Sequence, residues 1–156
     1  MRSDDRPRIL APPPLLFFGC LLLGWLLGFV VPAPLSFLEV GVRIGLGSFF
    51  SFLGFVFGLS ALITLHRGGT PAEPWKPTTR IMTGGPFRFS RNPIYIALLC
   101  VLTGLAFFTA SLGIALSIAL LFLLLDRGVV RAEERYLTGK FGEEYLAYRR
   151  RVRRWI

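Results

Sequence analysis

The sequence predicts an all-α membrane protein with about four transmembrane helices, the last two a tight hairpin, followed by C-terminal amphipathic helices. Two observations carry this expectation. Uncharged apolar runs recur at the length that crosses ~30 Å of hydrocarbon. Mean hydropathy is +0.60 with 53% hydrophobic residues, above the range of ordinary soluble domains. A length of 156 residues suggests a single domain. The net charge of +9 resides in basic residues that flank the apolar runs, so membrane topology and anionic lipid explain it more economically than nucleic acid. Cys20 and Cys100 sit inside apolar runs with no metal or disulfide spacing, and read as packing residues. His66 is the single histidine, which excludes a multi-His metal site built from this chain.

Residues 1–14 are polar and then proline-rich, an N-terminal arm. The basic start followed by an apolar run resembles a signal peptide, but the run is long and no A-x-A site follows, so it reads as a retained first span. Residues 15–31 carry no charge and, with residues 9–14, reach spanning length; Pro32 and Pro34 end the run. Residues 36–43 form a connector holding Glu39 and Arg43. Residues 44–65 are the second uncharged span. Within it Gly54-x-x-x-Gly58 is a pattern that lets helices approach closely, although glycine is common in membrane helices in any case.

Residues 66–92 form a polar, Pro/Gly-rich loop in which Trp75 marks an interface. Residues 93–125 are 33 positions without a charge. A single helix of that length would be roughly 50 Å long, so a turn is expected at Thr109-Ala110-Ser111-Leu112-Gly113. From Asp126 to Ile156 the chain turns polar and reads as two amphipathic helices, about residues 126–138 and 143–152, broken by Gly139 and Gly142. Four spans put both termini on one side. All of the 18 lysines and arginines except Arg43 then fall on that side, which the positive-inside rule makes cytoplasmic. The expected location is the cytoplasmic membrane, multi-pass.

The first candidate for chemistry is Gly84–Tyr95, G-G-P-F-R-F-S-R-N-P-I-Y. Asn92 is a strong N-cap type and Pro93 suits the first helical position. The helix they open has free N–H groups and partial positive charge, able to hold a carboxylate or phosphate. Phe87, Phe89 and Tyr95 add rings for a flat ligand. A plain capped membrane helix with basic residues at the headgroups fits the same signal. The second candidate is the pair Glu133 and Glu134. Glu133 falls on an apolar stripe with Val130, Leu137 and Phe141 and needs a partner: an arginine, a ribose diol or a ligand amine. Glu134 lies at the stripe's edge. Both also fit solvation or pairing with Arg127, Arg131 or Lys140. Arg149 to Arg154 suit lipid headgroups, or less readily an anionic substrate. No G-x-G-x-x-G after a strand, Walker A, G-x-S-x-G or H-E-x-x-H occurs.

At these residues the chain resembles the membrane methyltransferases of the isoprenylcysteine carboxyl methyltransferase type, with phospholipid N-methyltransferases as relatives. The matching text is T-G-G-P-F-R-F-S-R-N-P-I-Y at 83–95, the uncharged hairpin, and E-E-R-Y-L-T-G-K-F-G-E-E-Y-L-A-Y-R-R-R-V at 133–152, about the last half of the chain. The resemblance implies S-adenosylmethionine bound between the loop and the helix after the hairpin. The family's R-H-P-x-Y motif matches Arg91-Asn92-Pro93-Ile94-Tyr95, with Asn92 in place of histidine. The implied cofactor residues are Arg80, Ile81, Met82, Phe87, Asn92, Pro93, Ile94, Tyr95, Glu133 and Glu134. An arginine that contacts the substrate carboxylate in eukaryotic members falls at Val129, and Arg127 and Arg131 nearby are the expected substrate-positioning residues. The implied activity is methyl transfer to a lipophilic small molecule, carboxyl O-methylation first and lipid-amine N-methylation second. The implied partners are membrane lipids, without nucleic acid or metal. The alternative from another class is a non-catalytic protein whose basic tail binds anionic lipid.

Overall fold

The computed structural model describes residues 6–30 and 37–156; its regular elements are helices, with no strand among the described residues. Helix α1 is Pro13–Val30, α2 Val40–Arg67, α3 Pro93–Thr109, α4 Leu112–Leu125, α5 Arg131–Phe141 and α6 Glu143–Arg151. Helix α3 packs between α2 and α4, and α4 packs between α3 and α1. Three helical stretches are long and apolar enough to cross a membrane: Pro13–Val30, Val40–Arg67 and Leu112–Phe141. The fourth apolar helix, Pro93–Thr109, has 17 residues and occupies the middle of the bundle. The all-α membrane architecture is as the sequence predicts.

The core runs along α1, α3 and α4. Phe17, Cys20, Leu102, Ala106, Ile114, Leu121 and Leu125 are all buried there. Large apolar residues such as Phe29, Phe52 and Phe55 lie exposed on the outside, the inverse of a soluble domain and suited to lipid. The hairpin turns where expected. Ala110 takes the left-handed conformation at φ 48, and Ser111 caps α4 by accepting a hydrogen bond from the Ile114 N–H at 3.3 Å. The close approach expected at Gly54 is used. A Cβ there would sit 2.8 Å from the Ala97 carbonyl oxygen and 2.9 Å from Val101 Cγ2.

Several boundaries differ from the sequence expectation. Helix α2 begins at Val40, so residues 40–43 are helical rather than connector, and with 28 residues α2 is about 42 Å long. It outlasts its uncharged stretch because Arg67 in the last turn complements the helix dipole. Pro32 and Pro34 lie outside the described residues. The largest correction concerns Asp126. No new helix starts there. Helix α4 passes through a π turn, Asp126–Val130, directly into α5. Arg131 N–H reaches back five residues to the Asp126 carbonyl. Within this wider turn the Gly128 carbonyl accepts a hydrogen bond from the Leu10 N–H at 2.8 Å. The change of charge at Asp126 marks a change of surroundings and leaves the backbone hydrogen bonding unbroken. Gly139 likewise stays helical. Gly142, at φ 53 and ψ −126, is the true break because that conformation favours glycine.

The Gly54 contact gives a test. Gly54→Leu should overpack the α2–α3 contact and cost about 1–3 kcal/mol, read as a lowered thermal midpoint in detergent. Gly45→Ala, where a Cβ meets nothing within 4 Å, should leave the midpoint unchanged or slightly raised.

Candidate functional site

The loop between α2 and α3 folds back over the N-terminus of α3 and the start of α5, enclosing a cleft of about 800 Å³ including its open mouth. Thr70, Pro71, Glu73, Pro74, Thr78, Arg80, Ile81 and Met82 form its loop wall. Phe87 and the run from Arg91 to Tyr95 form the floor, Val130, Glu133, Glu134 and Leu137 of α5 and its entry the facing wall, and Tyr145 and Tyr148 of α6 the end. The loop is tied to itself by the Thr79 N–H on Thr70 Oγ1 at 3.1 Å and by Thr79 Oγ1 on the Gly69 carbonyl at 2.9 Å.

The two adjacent carboxylates have different surroundings. Tyr95 Oη donates to Glu133 Oε1 at 2.8 Å and is its one hydrogen-bond partner among the described residues. Glu133 faces the cleft without a cation beside it. Glu134, 8% exposed, is gripped from two sides. Arg91 Nη1 lies 2.7 Å from its Oε1, while Arg154 places Nε 3.0 Å from Oε1 and Nη2 2.6 Å from Oε2. Arg91 Nη1 also donates to Tyr145 Oη at 3.3 Å, and Tyr148 Oη donates to the Phe87 carbonyl at 2.8 Å. Burial pushes the Tyr145 and Tyr148 phenols above their ordinary range. Both therefore remain protonated donors at neutral pH.

All ten residues implied as cofactor-binding line this one cleft: Arg80, Ile81, Met82, Phe87, Asn92, Pro93, Ile94, Tyr95, Glu133 and Glu134. Several details differ from expectation. Asn92 occupies the N-cap position, but its side chain does not cap α3. Its Nδ2 donates to the Arg154 carbonyl at 2.8 Å, and its own N–H goes to Ser90 Oγ at 3.0 Å. The Arg154 carbonyl, which also accepts from Ser90 Oγ at 3.2 Å, takes the amide. Glu134 pairs with Arg91 and Arg154, not with Arg127, Arg131 or Lys140. Phe89 is 67% exposed and outside the cleft, because the 3₁₀ turn Gly85–Arg88 buries Phe87 and swings the next ring outward. Arg127 and Arg131 also lie outside the lining. Arg127 is exposed and Arg131 pairs with Asp126, its Nη2 3.1 Å from Oδ2. Among the described residues no group of three or more His, Cys, Asp or Glu side chains could hold a metal ion.

The sequence reading passed over Tyr145, Tyr148 and residues 70–74. The tyrosines carried a signal: they stand three apart on a helix and so share a face. Residues 70–74 carried none, since only the return path of the loop brings them to the cleft.

Comparison with known proteins bears on the whole arrangement. A family model described as phospholipid methyltransferase matches residues 42–144. A cobalt-zinc-cadmium resistance protein, CzcN, of Cupriavidus metallidurans is 37% identical over 72 residues, 46% of this chain and 33% of that protein. A nickel-cobalt-cadmium resistance protein, NccN, of Alcaligenes xylosoxydans xylosoxydans is 33% identical over 77 residues, 49% of this chain and 36% of that one. An uncharacterized protein of Haemophilus influenzae is 32% identical over 63 residues, 40% of this chain and all of its own length. The match thus spans about a third of the length of the two resistance proteins. No solved structure matches the chain.

The Tyr148 contact is a clean structural test. Tyr148→Phe should leave the buried Phe87 carbonyl without its donor and cost about 1–3 kcal/mol, measured by thermal unfolding in detergent.

Proposed function

This chain belongs to the phospholipid methyltransferase family, and we propose that it transfers a methyl group from S-adenosylmethionine to a lipophilic acceptor at the cytoplasmic face of the cell membrane, both of its termini lying on that face. The observation that carries this reading is the Glu133 carboxylate, which faces the cleft with a phenol and no cation as partner. A carboxylate so placed can accept hydrogen bonds from an amine or from ribose hydroxyls. Phe87 and Tyr95 offer ring faces that favour a sulfonium. At the N-terminus of α3 the Tyr95 and Ile96 N–H groups bond the Asn92 carbonyl, which leaves the Ile94 N–H and the helix dipole to favour a carboxylate. These donor types fit S-adenosylmethionine, which supplies an electrophilic methyl group when bound. The chain's own contribution is to orient the two reactants and exclude water, which suits methyl transfer because little acid–base chemistry is required.

Lipid-amine N-methylation is the acceptor chemistry we favour. The family description points to phospholipids. Arg127 and Arg131, the side chains expected to orient a substrate carboxylate, lie outside the cleft. Carboxyl O-methylation of the isoprenylcysteine type stays as the second reading because Arg80 lines the cleft and can meet a carboxylate. Lipid binding by the tail accompanies the enzyme reading rather than replacing it. Arg149, Arg150, Arg151 and Arg153 are exposed where they can meet anionic headgroups, Arg150 beside Glu143 at 3.5 Å, while Arg154 is engaged inside the protein.

Calorimetric titration of S-adenosylmethionine into the detergent-purified protein tests the reading. The wild type should bind at micromolar concentration, and Glu133→Gln should weaken binding at least about tenfold, a loss of 1.4 kcal/mol or more, with the helical spectrum unchanged. A folded wild type that binds none sinks the proposal. Methyl label transferred to membrane lipids then separates the acceptors: mild base releases a methyl ester's label as volatile methanol, and an N-methyl label stays non-volatile.

A further inference from the structure

The end of the chain joins the floor of the cleft to its α5 wall. After α6 the backbone becomes extended at Val152 (φ −122, ψ 131) and runs back along the entry to α3. The Arg153 carbonyl accepts the Arg91 N–H at 3.0 Å. The Arg154 carbonyl accepts Asn92 Nδ2 at 2.8 Å and Ser90 Oγ at 3.2 Å. The Arg154 side chain reaches the other way. It forks the Glu134 carboxylate at 3.0 and 2.6 Å, and its Nη1 reaches Asp126 Oδ1 at 3.2 Å. Trp155 secures the strap, with Nε1 donating to Asp126 at 3.2 Å and its ring 4.9 Å from that of Phe122. One residue therefore bonds the floor through its backbone and the α4–α5 wall through its side chain.

Charge neutralisation alone does not require Arg154. Without it Glu134 keeps Arg91 at 2.7 Å, and Asp126 keeps Arg131 at 3.1 Å. Neither acid is stranded, so the severe cost of an unanswered buried charge does not arise. What is lost is the second tie between the floor and Glu134, the neighbour of Glu133: Arg91 still reaches one carboxylate oxygen, but the two-nitrogen fork that fixes the carboxylate's orientation against the floor is gone. A pocket held at its binding geometry avoids reorganisation when a ligand enters.

We propose that Arg154 is a positioning residue which, together with Arg91, fixes the α5 wall of the S-adenosylmethionine site against its floor, acting through Glu134 and Asn92; this rests on the cofactor reading of the cleft. Its effect is on binding geometry, since it does not line the cleft itself.

The test titrates S-adenosylmethionine into the full chain in detergent for wild type, Arg154→Met and Arg154→Lys, with circular dichroism as the check on folding. Arg154→Met should keep the helical spectrum and lose binding by about 10- to 100-fold, the range that loss of an outer-shell support costs a binding site. Arg154→Lys restores a charged contact without the fork and should recover part of that loss. Binding by Arg154→Met within about twofold of wild type overturns the proposal, as does a lysine variant no better than methionine. If Arg154→Met fails to fold, Arg154→Lys decides alone: weaker binding than wild type supports the role, and wild-type binding overturns it. A folded wild type that binds no S-adenosylmethionine overturns the cofactor reading itself and this inference with it, an outcome distinct from a wild type that binds while both variants bind equally well.

Discussion

Glu134, 8% exposed between the guanidinium groups of Arg91 and Arg154, is where the chain's separate parts are tied together. Arg91 ends the long loop, Glu134 opens α5, and Arg154 follows α6. A carboxylate buried at this depth would be prohibitive alone, and paired on both sides it becomes a fixed point. The surrounding bonds share that direction. Arg91 reaches Tyr145, Tyr148 holds the Phe87 carbonyl, and Asn92 holds the Arg154 carbonyl. The cleft is thus walled by segments more than 60 residues apart in sequence, as the Ser90–Arg154 bond at a separation of 64 shows. Within it Glu133 keeps a carboxylate free of cations because its neighbour has taken them.

Much of the fold was legible because bilayers impose coarse and strong constraints. Uncharged runs gave the helices, and a run too long for one span implied a turn that Ala110 and Ser111 provide. Gly142 was legible as a break, whereas Gly139 was misread. Glycine costs a helix interior only about 1 kcal/mol, and what separates the two is the conformation the backbone adopts there. The passage from α4 into α5 was misread for a related reason: loss of hydrophobicity at Asp126 resembles a helix end, yet hydrogen bonding continues through the π turn.

The candidate site was legible in a different way. Its residue types suggested an anion or ring site, but their convergence came from resemblance to a family whose motifs occur in this order. The contacts that tie the site together lay beyond both. Asn92 was expected to cap because local propensity favours it, and a carbonyl some 60 residues away won its amide. The arginine run was read as a single unit suited to lipid headgroups or, less readily, to an anionic substrate. Only the path of the last few residues shows Arg154 turned inward while Arg153 stays exposed.

The π turn has a consequence for evolution and for alignment. It holds one residue more than an α-helical turn would, and each residue advances an α-helix by about 100°. The π turn absorbs its extra residue locally, so deleting one residue from 126–130 would let the helix close up as regular α with everything after it facing as before. Keeping all five residues but winding them as regular α would instead turn the rest of the chain by roughly that amount and carry both acids off the directions they hold here. A relative lacking the extra residue can therefore carry the same Glu-Glu text with the same duties, and an alignment needs a one-residue gap at this turn to pair each acid with its counterpart.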